Sequence, residues 1–191
     1  MIKTAIRAAA WFGTAIWILG AAAVSAGEAW NVVPEKSSVG FTGVQQGSHF
    51  NGRFEDFTAQ IEFDPKMPMK GKIVGMVKTA SVNTRDHDRD SSLMDTDWFN
   101  SAKYPEAKYE ADSIKKLDDG SYEADGQLTL KGKTHPVKLT FKFETMDGGD
   151  NAKFDGEMMI DRFDFNVGEG WNDTSWVGQN VDVHVMLDLK K

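Results

Sequence analysis

The chain of 191 residues contains no cysteine. Disulfide staples, a thiol nucleophile and thiolate metal ligands are therefore excluded. So is lipoprotein processing, which needs a cysteine at the new N-terminus. Positive charge is also short, with 22 Lys and Arg against 29 Asp and Glu and a formal net charge of −7. Such a chain lacks the basic excess that phosphate contacts require, so nucleic acid is not an expected partner. It also gains no electrostatic help onto an anionic bilayer. The four histidines, His49, His87, His135 and His184, include no i, i+4 pair, which leaves a zinc site without support. No Gly-x-Ser-x-Gly elbow is present. There is no solenoid-period repeat, linker or low-complexity tract.

Long apolar runs are nearly absent too, with one exception at the start. Lys3 and Arg7 precede an apolar stretch from Ala8 to about Val24, and Val24-Ser25-Ala26 supplies the small residues a signal peptidase needs. We read residues 1–26 as a secretory signal peptide cleaved after Ala26. An uncleaved anchor is the alternative, since the run nearly reaches the ~18 residues of a spanning helix. Cleavage leaves 165 residues, one domain over 27–191, with 20 basic against 29 acidic side chains and a net charge of −9. With no disulfide, that domain depends on burial for stability.

What the chain has in quantity is alternation of apolar and polar residues. Tyr122, Ala124, Leu128 and Leu130 alternate with polar residues, and so do Val137, Leu139, Phe141 and Phe143. Period two means strands with one dry and one wet face. Gly132 and Pro136 bracket the turn expected between these two. Further strands are expected at Trp30–Pro34, Val39–Gly43, Phe57–Phe63, Ile73–Thr79, Tyr109–Ser113, Phe154–Ile160 and Val181–Leu189, with Phe163, Phe165 and Val167 just beyond Ile160. Seven to nine such strands predict an all-β antiparallel barrel or sandwich. The stretch from Asn83 to Phe99 departs from period two and predicts one short helix, ended before Tyr104-Pro105.

Several motifs resemble the YceI-like family of exported bacterial proteins. They are Trp30-Asn31-Val32-Val33-Pro34-Glu35-Lys36-Ser37-Ser38-Val39, the Gly52-Arg53-Phe54 step and Arg89-Asp90-Ser91-Ser92-Leu93-Met94. Trp98-Phe99-Asn100, Lys103-Tyr104-Pro105 and Gly126-Gln127-Leu128-Thr129-Leu130-Lys131-Gly132-Lys133-Thr134-His135-Pro136-Val137 complete the set. The resemblance covers nearly all of the mature chain. It implies a lipocalin-like antiparallel β-barrel with a long apolar tunnel. It also implies a polyisoprenoid or similar amphiphilic lipid as ligand, bound in the periplasm without catalysis.

The residues themselves leave more than one reading open. A barrel of this size can be packed solid by its own side chains or can hold one ligand. Gly43, Ala59, Gly75, Ala111, Ala124, Gly126 and Gly156 fall on inward faces, where missing volume costs stability unless something fills it. A prenyl chain, a quinone or a fatty-acid-like lipid would fill it. On this reading Phe41, Phe57, Phe63, Val77, Leu128, Phe141, Phe154, Met158 and Phe165 line the tunnel, and Trp98, Phe99, Trp171 and Trp176 shape its mouth. Arg85, His87 and Arg89 are candidates for a polar headgroup, because Arg can clamp a phosphate with two bonds. No catalytic residue, metal site or cofactor is assigned. The alternatives are an enzyme with a carboxylate or metal site in Asp86–Asp97, and a stress-related structural protein with a filled core. Asp86, Asp88, Asp90 and Asp97 mimic calcium-loop spacing, but Ser91 stands where that loop needs glycine. An exposed edge strand would offer a route to a homodimer, and an amphiphilic cargo a route to transient membrane contact.

Overall fold

The computed structural model describes residues 28–191. The signal segment read from the sequence lies outside the described residues. Eleven strands form one antiparallel sheet that closes on itself. They are β1 (Ala29–Val32), β2 (Ser38–Gln45), β3 (Ser48–Phe54), β4 (Phe57–Glu62), β5 (Lys72–Lys78) and β6 (Val82–Asn83). Beyond α1 (His87–Met94), the one α-helix among the described residues, follow β7 (Glu106–Lys116), β8 (Tyr122–Leu130), β9 (Lys133–Met146), β10 (Asn151–Asp161) and β11 (Asn180–Lys190).

Consecutive strands pair, and the ring closes where β11 pairs with both β1 and β2. β1 and β2 act as one strand interrupted by the 3-10 turn Pro34–Lys36. β3 and β4 act as one strand bent at Glu55-Asp56. The wall is thus an eight-strand barrel of the lipocalin-like kind, with β6 as a short flap on β3. Closure removes most of the unpaired edges that an open sheet would present.

Local chemistry explains most of these elements. β10 is the clearest, with Ala152, Phe154, Gly156, Met158 and Ile160 buried and their neighbours largely exposed. The β8–β9 turn is tighter than expected. Lys131 and Gly132 both have positive φ, 49° and 74°, the signature of a two-residue type I′ hairpin. Thr134, His135 and Pro136 therefore belong to β9 and not to the turn. Pro136 is tolerated because β10 joins β9 only from Thr140 onward, so no neighbour asks for its missing N–H.

The helix is also shorter than the Asn83–Phe99 segment. Asp86 caps it by accepting from the Arg89 N–H at 3.0 Å, as N-cap aspartates do. Trp98 and Phe99 sit in the turns beyond it, where the Phe99 N–H donates to the Leu93 carbonyl at 2.9 Å. Phe163, Phe165 and Val167 form turns and no strand. β3 and β6 were not foreseen as strands.

The barrel is filled unevenly. Its lower end, where β7 turns into β8 and β9 into β10, is packed with aromatic rings. Phe63, fully buried, meets Tyr122 and Phe143 edge-on at 4.9 Å and Phe141 at 5.3 Å. Trp30 packs on Phe143 at 5.3 Å and donates from Nε1 to the Phe63 carbonyl at 2.9 Å. Edge-to-face contacts of this kind add stability beyond the area they bury. The upper end carries α1, the β8–β9 turn and the long connection 162–179, and the space between is open.

Candidate ligand cavity

That open space is an apolar chamber. Its cavity volume is about 150 Å³, the size of an apolar cavity that takes up one benzene-sized group. Every barrel strand contributes to its wall, from Val39 and Phe41 on β2 round to Val181, Val183, Val185 and Leu187 on β11. Phe154, Leu139, Ile61 and Ile73 are among its lining residues. Phe154 stacks at 4.6 Å on Phe141 of the aromatic plug, so the chamber ends where the plug begins.

The inward small residues divide into two groups. A Cβ at Gly52 would lie 2.3 Å from the Phe41 ring, one at Gly126 2.3 Å from the Tyr109 ring, and one at Gly43 2.8 Å from the Phe50 ring. One at Gly156 would lie 2.8 Å from the Phe154 ring. These glycines make room for aromatic neighbours, not for a ligand. Gly43, Gly126 and Gly156 therefore do not leave the missing volume read from the sequence, and neither Ala111 nor Ala124 lines the chamber. Gly75 is different, since nothing lies within 4 Å of its Cβ position. It stands opposite Ala59 in the β4–β5 ladder, and both line the chamber.

Few polar groups reach this space: Thr58 lies at its solvent-exposed edge, and Tyr109 and Arg162 are occupied. The Tyr109 hydroxyl donates toward the carbonyls of Ala124 at 3.1 Å and Val137 at 3.2 Å. Burial, aided by the charges of Asp125 and Glu123, pushes its pKa well above the usual phenol range. Arg162 is 2% exposed and lines the upper wall. Its Nε donates to the Gly178 carbonyl at 2.9 Å, and its two terminal nitrogens to the carbonyls of Val167, Gly168, Trp171 and Val177. No carboxylate pairs with it, and burial holds its pKa below the ordinary value, with Asp161 pulling the other way.

Lys131 makes a second such tie. Its Nζ donates to the carbonyls of Asp97 at 2.8 Å and Asn166 at 2.7 Å, and burial pushes its pKa down against the charges of Glu169 and Asp97. These two cations fasten the connection 162–179 over the upper end. Neither stood out in the sequence. The one trace is Lys131 itself, which occupies a positive-φ turn position that usually takes Asn, Asp or Gly.

The expected ligand residues are scattered by this geometry. Phe41, Val77, Phe99, Leu128, Phe154 and Met158 line the chamber. Phe63 and Phe141 belong to the plug beneath it. Phe165 is buried beside His135, 5.2 Å between rings, and does not reach the chamber. Phe57 borders an outer groove between β1 and β4. Trp98 and Trp171 lie 6.2 Å apart outside the chamber lining, as does Trp176, and Trp171 and Trp176 are 46% and 53% exposed.

Arg85 and His87 are exposed on the helix start and do not line the chamber. Arg89 is also excluded from its wall, its guanidinium lying over the Phe50 ring at 4.4 Å and bonded to Asp86 at 2.8 Å. In the Asp-rich segment, Asp86 caps α1 and Asp90 accepts from the Thr84 N–H and hydroxyl at 2.7 Å. Among the described residues no group of three His, Asp or Glu is placed to hold a metal ion.

Fold and chamber together define a lipocalin-like barrel with an apolar cavity. Comparison with known proteins then identifies the line of descent: the YceI-like domain model matches residues 30–189, and the chain belongs to that family. It is 36% identical over 141 residues to Protein YceI of Escherichia coli O17:K52:H18, covering 72% of each chain. It is 32% identical over 181 residues to a UPF0312 protein of Pseudomonas savastanoi, covering 89% of this chain and 92% of the relative. BcnA of Burkholderia cenocepacia superposes with a TM-score of 0.78 at 31% identity, over 83% of this chain and 99% of that one. A polyisoprenoid binding domain from Saccharophagus degradans shares the fold at a TM-score of 0.67 and 14% identity, over 84% and 97% of the two chains.

Proposed function

We propose that this protein, exported to the periplasm and cleaved after Ala26, binds a long-chain isoprenoid or a similar amphiphilic lipid in its barrel cavity without catalysing a reaction. Quinones and fatty-acid-like lipids share the required chemistry. The observation that carries this reading is the chamber wall, which is apolar almost throughout: apart from Thr58 at its solvent edge, its polar side chains, Tyr109 and Arg162, already donate to main-chain carbonyls. Such a wall recognises CH₂ groups and little else. Each buried CH₂ contributes about 0.8 kcal/mol, so one five-carbon unit yields about 3–4 kcal/mol before association costs. Membership of the YceI-like family, and a fold shared with a domain described as polyisoprenoid binding, support the same reading.

The test is extraction of protein taken gently from a periplasmic fraction, with native mass spectrometry beside it. A long-chain lipid in the extract and a matching mass increment on the folded protein are the expected results. Protein that stays empty in its own periplasm and fails to take up added prenyl lipid would refute the proposal.

A further inference from the structure

One stretch of the barrel wall has no strand-to-strand bonding. β1 and β4 pair at Ala29↔Glu62 and Trp30↔Ile61. β2 and β3 pair from Val39↔Phe54 upward. Between these ladders, residues 31–38 face residues 55–60 with no strand pairing across the gap. Six rungs at about 3.4 Å make a window roughly 20 Å long. A second unpaired stretch, between Lys133–Leu139 of β9 and Met158–Asp161 of β10, differs in that the turn carrying Phe165 packs on β9 there, its ring 5.2 Å from His135.

Both margins are held apart by their outer neighbours. On one side the Val33 N–H donates to the Asp188 carbonyl at 2.8 Å, and the Asp188 N–H donates to the Ser37 hydroxyl at 3.0 Å. On the other side the Glu55 N–H donates to the Ser81 carbonyl at 3.0 Å, and the Lys78 N–H to the Asp56 carbonyl at 2.9 Å. The 3-10 turn Pro34–Lys36 takes up the slack. Each margin is thus anchored to its outer neighbour, while no strand pairing joins the two margins.

The chamber and the outer groove over this window share three lining residues, Thr58, Ala59 and Ile61. Thr58 is exposed to solvent while also lining the chamber. The two ends of the barrel offer no comparable opening. The lower end is the aromatic plug around Phe63, and the upper end is covered by Phe99 and Val167 beneath a connection tied down by Arg162 and Lys131.

We infer that the apolar cargo enters and leaves sideways, through the window between β1 and β4, and not through the lidded end. This rests on the cavity reading above and adds the route to it. An apolar chain threading the window meets Phe57 and the Ala59–Gly75 pair, and no backbone ladder has to break. Passage at the upper end would instead break the bonds of two buried cations.

The absence of cysteine allows a clean test, since a single introduced thiol takes a single label. Gln60 and Asn31 are exposed on opposite margins of the window, and Thr174 is exposed on the mouth connection. Each of Gln60→Cys, Asn31→Cys and Thr174→Cys is coupled to a bulky fluorescein maleimide and compared with its own unlabelled form. Stopped-flow mixing with a dansyl-labelled undecanoic acid gives association and dissociation rates, and circular dichroism checks the fold. The expected result is that labels at Gln60 and Asn31 slow both rates at least about tenfold and leave Kd unchanged, while the Thr174 label changes neither rate. Slowing at Thr174 alone, or at no position, overturns the lateral route. If the probe fails to bind every unlabelled variant, the cavity reading falls first and the route with it.

Discussion

Gly75 and Gly126 lie on β5 and β8, both facing inward, and adding a side chain at each should have opposite consequences. At Gly75 the Cβ position has no neighbour within 4 Å. Leucine there would fill chamber space and remove the entropic penalty of glycine in a strand, about 0.5–1 kcal/mol. Burying the leucine adds about 1.5–3 kcal/mol at full burial. Allowing for incomplete contact, Gly75→Leu should stabilise the lipid-free protein by about 1–2 kcal/mol. For a domain of this size that is a Tm increase of about 2–8 °C.

At Gly126 a Cβ would sit 2.3 Å from the Tyr109 ring. That ring cannot swing away freely, because its hydroxyl is tied to the Ala124 and Val137 carbonyls. Gly126→Ala should therefore cost about 1–3 kcal/mol, as overpacked cores do. Differential scanning calorimetry of delipidated protein measures both. Four leucine carbons taken from the cargo's space cost it about 3 kcal/mol at 0.8 kcal/mol per carbon, so Kd for a prenyl lipid should rise roughly 100-fold. If Gly75→Leu destabilises as much as Gly126→Ala, the space above Gly75 is not open. Unchanged lipid occupancy in Gly75→Leu would show that the cargo lies elsewhere.

Three further outcomes follow from the same structure. Arg162→Met leaves five main-chain carbonyls without their donor and should lower stability by about 3 kcal/mol in urea titration, with hydrogen exchange in residues 163–178 rising most. Phe63→Ala removes the centre of the aromatic plug and should cost about 3–5 kcal/mol in the same titration. The bond from the Arg89 N–H, then the Arg89 guanidinium, hold the Asp86 carboxylate below its usual pKa. A lowered folded-state pKa means this cap stabilises α1 above about pH 4 and is lost as pH falls through the folded value. Exchange of the Arg89 amide should speed up on acidification below about pH 4, and Asp86→Asn should abolish that pH dependence.

Most of the wall was legible in the sequence. Alternation at Phe57–Phe63, Tyr122–Phe143, Phe154–Ile160 and Val181–Leu189 marks strands because a side-chain period of two is a property of the extended backbone itself. The same alternation placed Phe41, Leu128 and Phe154 on the inner face. It failed at β3, where Ser48–Phe54 carries Gly52 on its inward face; that glycine adds no hydrophobic signal because the Phe41 ring from the paired strand occupies its place. It also misplaced the β8–β9 turn, since Pro136 looks like a breaker until one knows that β10 never reaches it.

What filled the barrel was beyond the sequence. An inward glycine reads the same at positions 75 and 126, yet one faces a void and the other a ring. The difference is a rotamer choice on a neighbouring strand. Phe63 and Phe154 read the same too, but only the latter lines the chamber, because depth along the barrel depends on how all eight strands stagger. Buried cations at Lys131 and Arg162 read as ordinary polar residues until the carbonyls of distant turns converge on them. The window between residues 31–38 and 55–60 was equally hidden, for it is defined by where the β1–β4 and β2–β3 ladders stop. The sequence determined which faces were dry, a matter of local period. Tertiary structure decided which dry faces enclose space, a matter of packing between residues far apart in the chain.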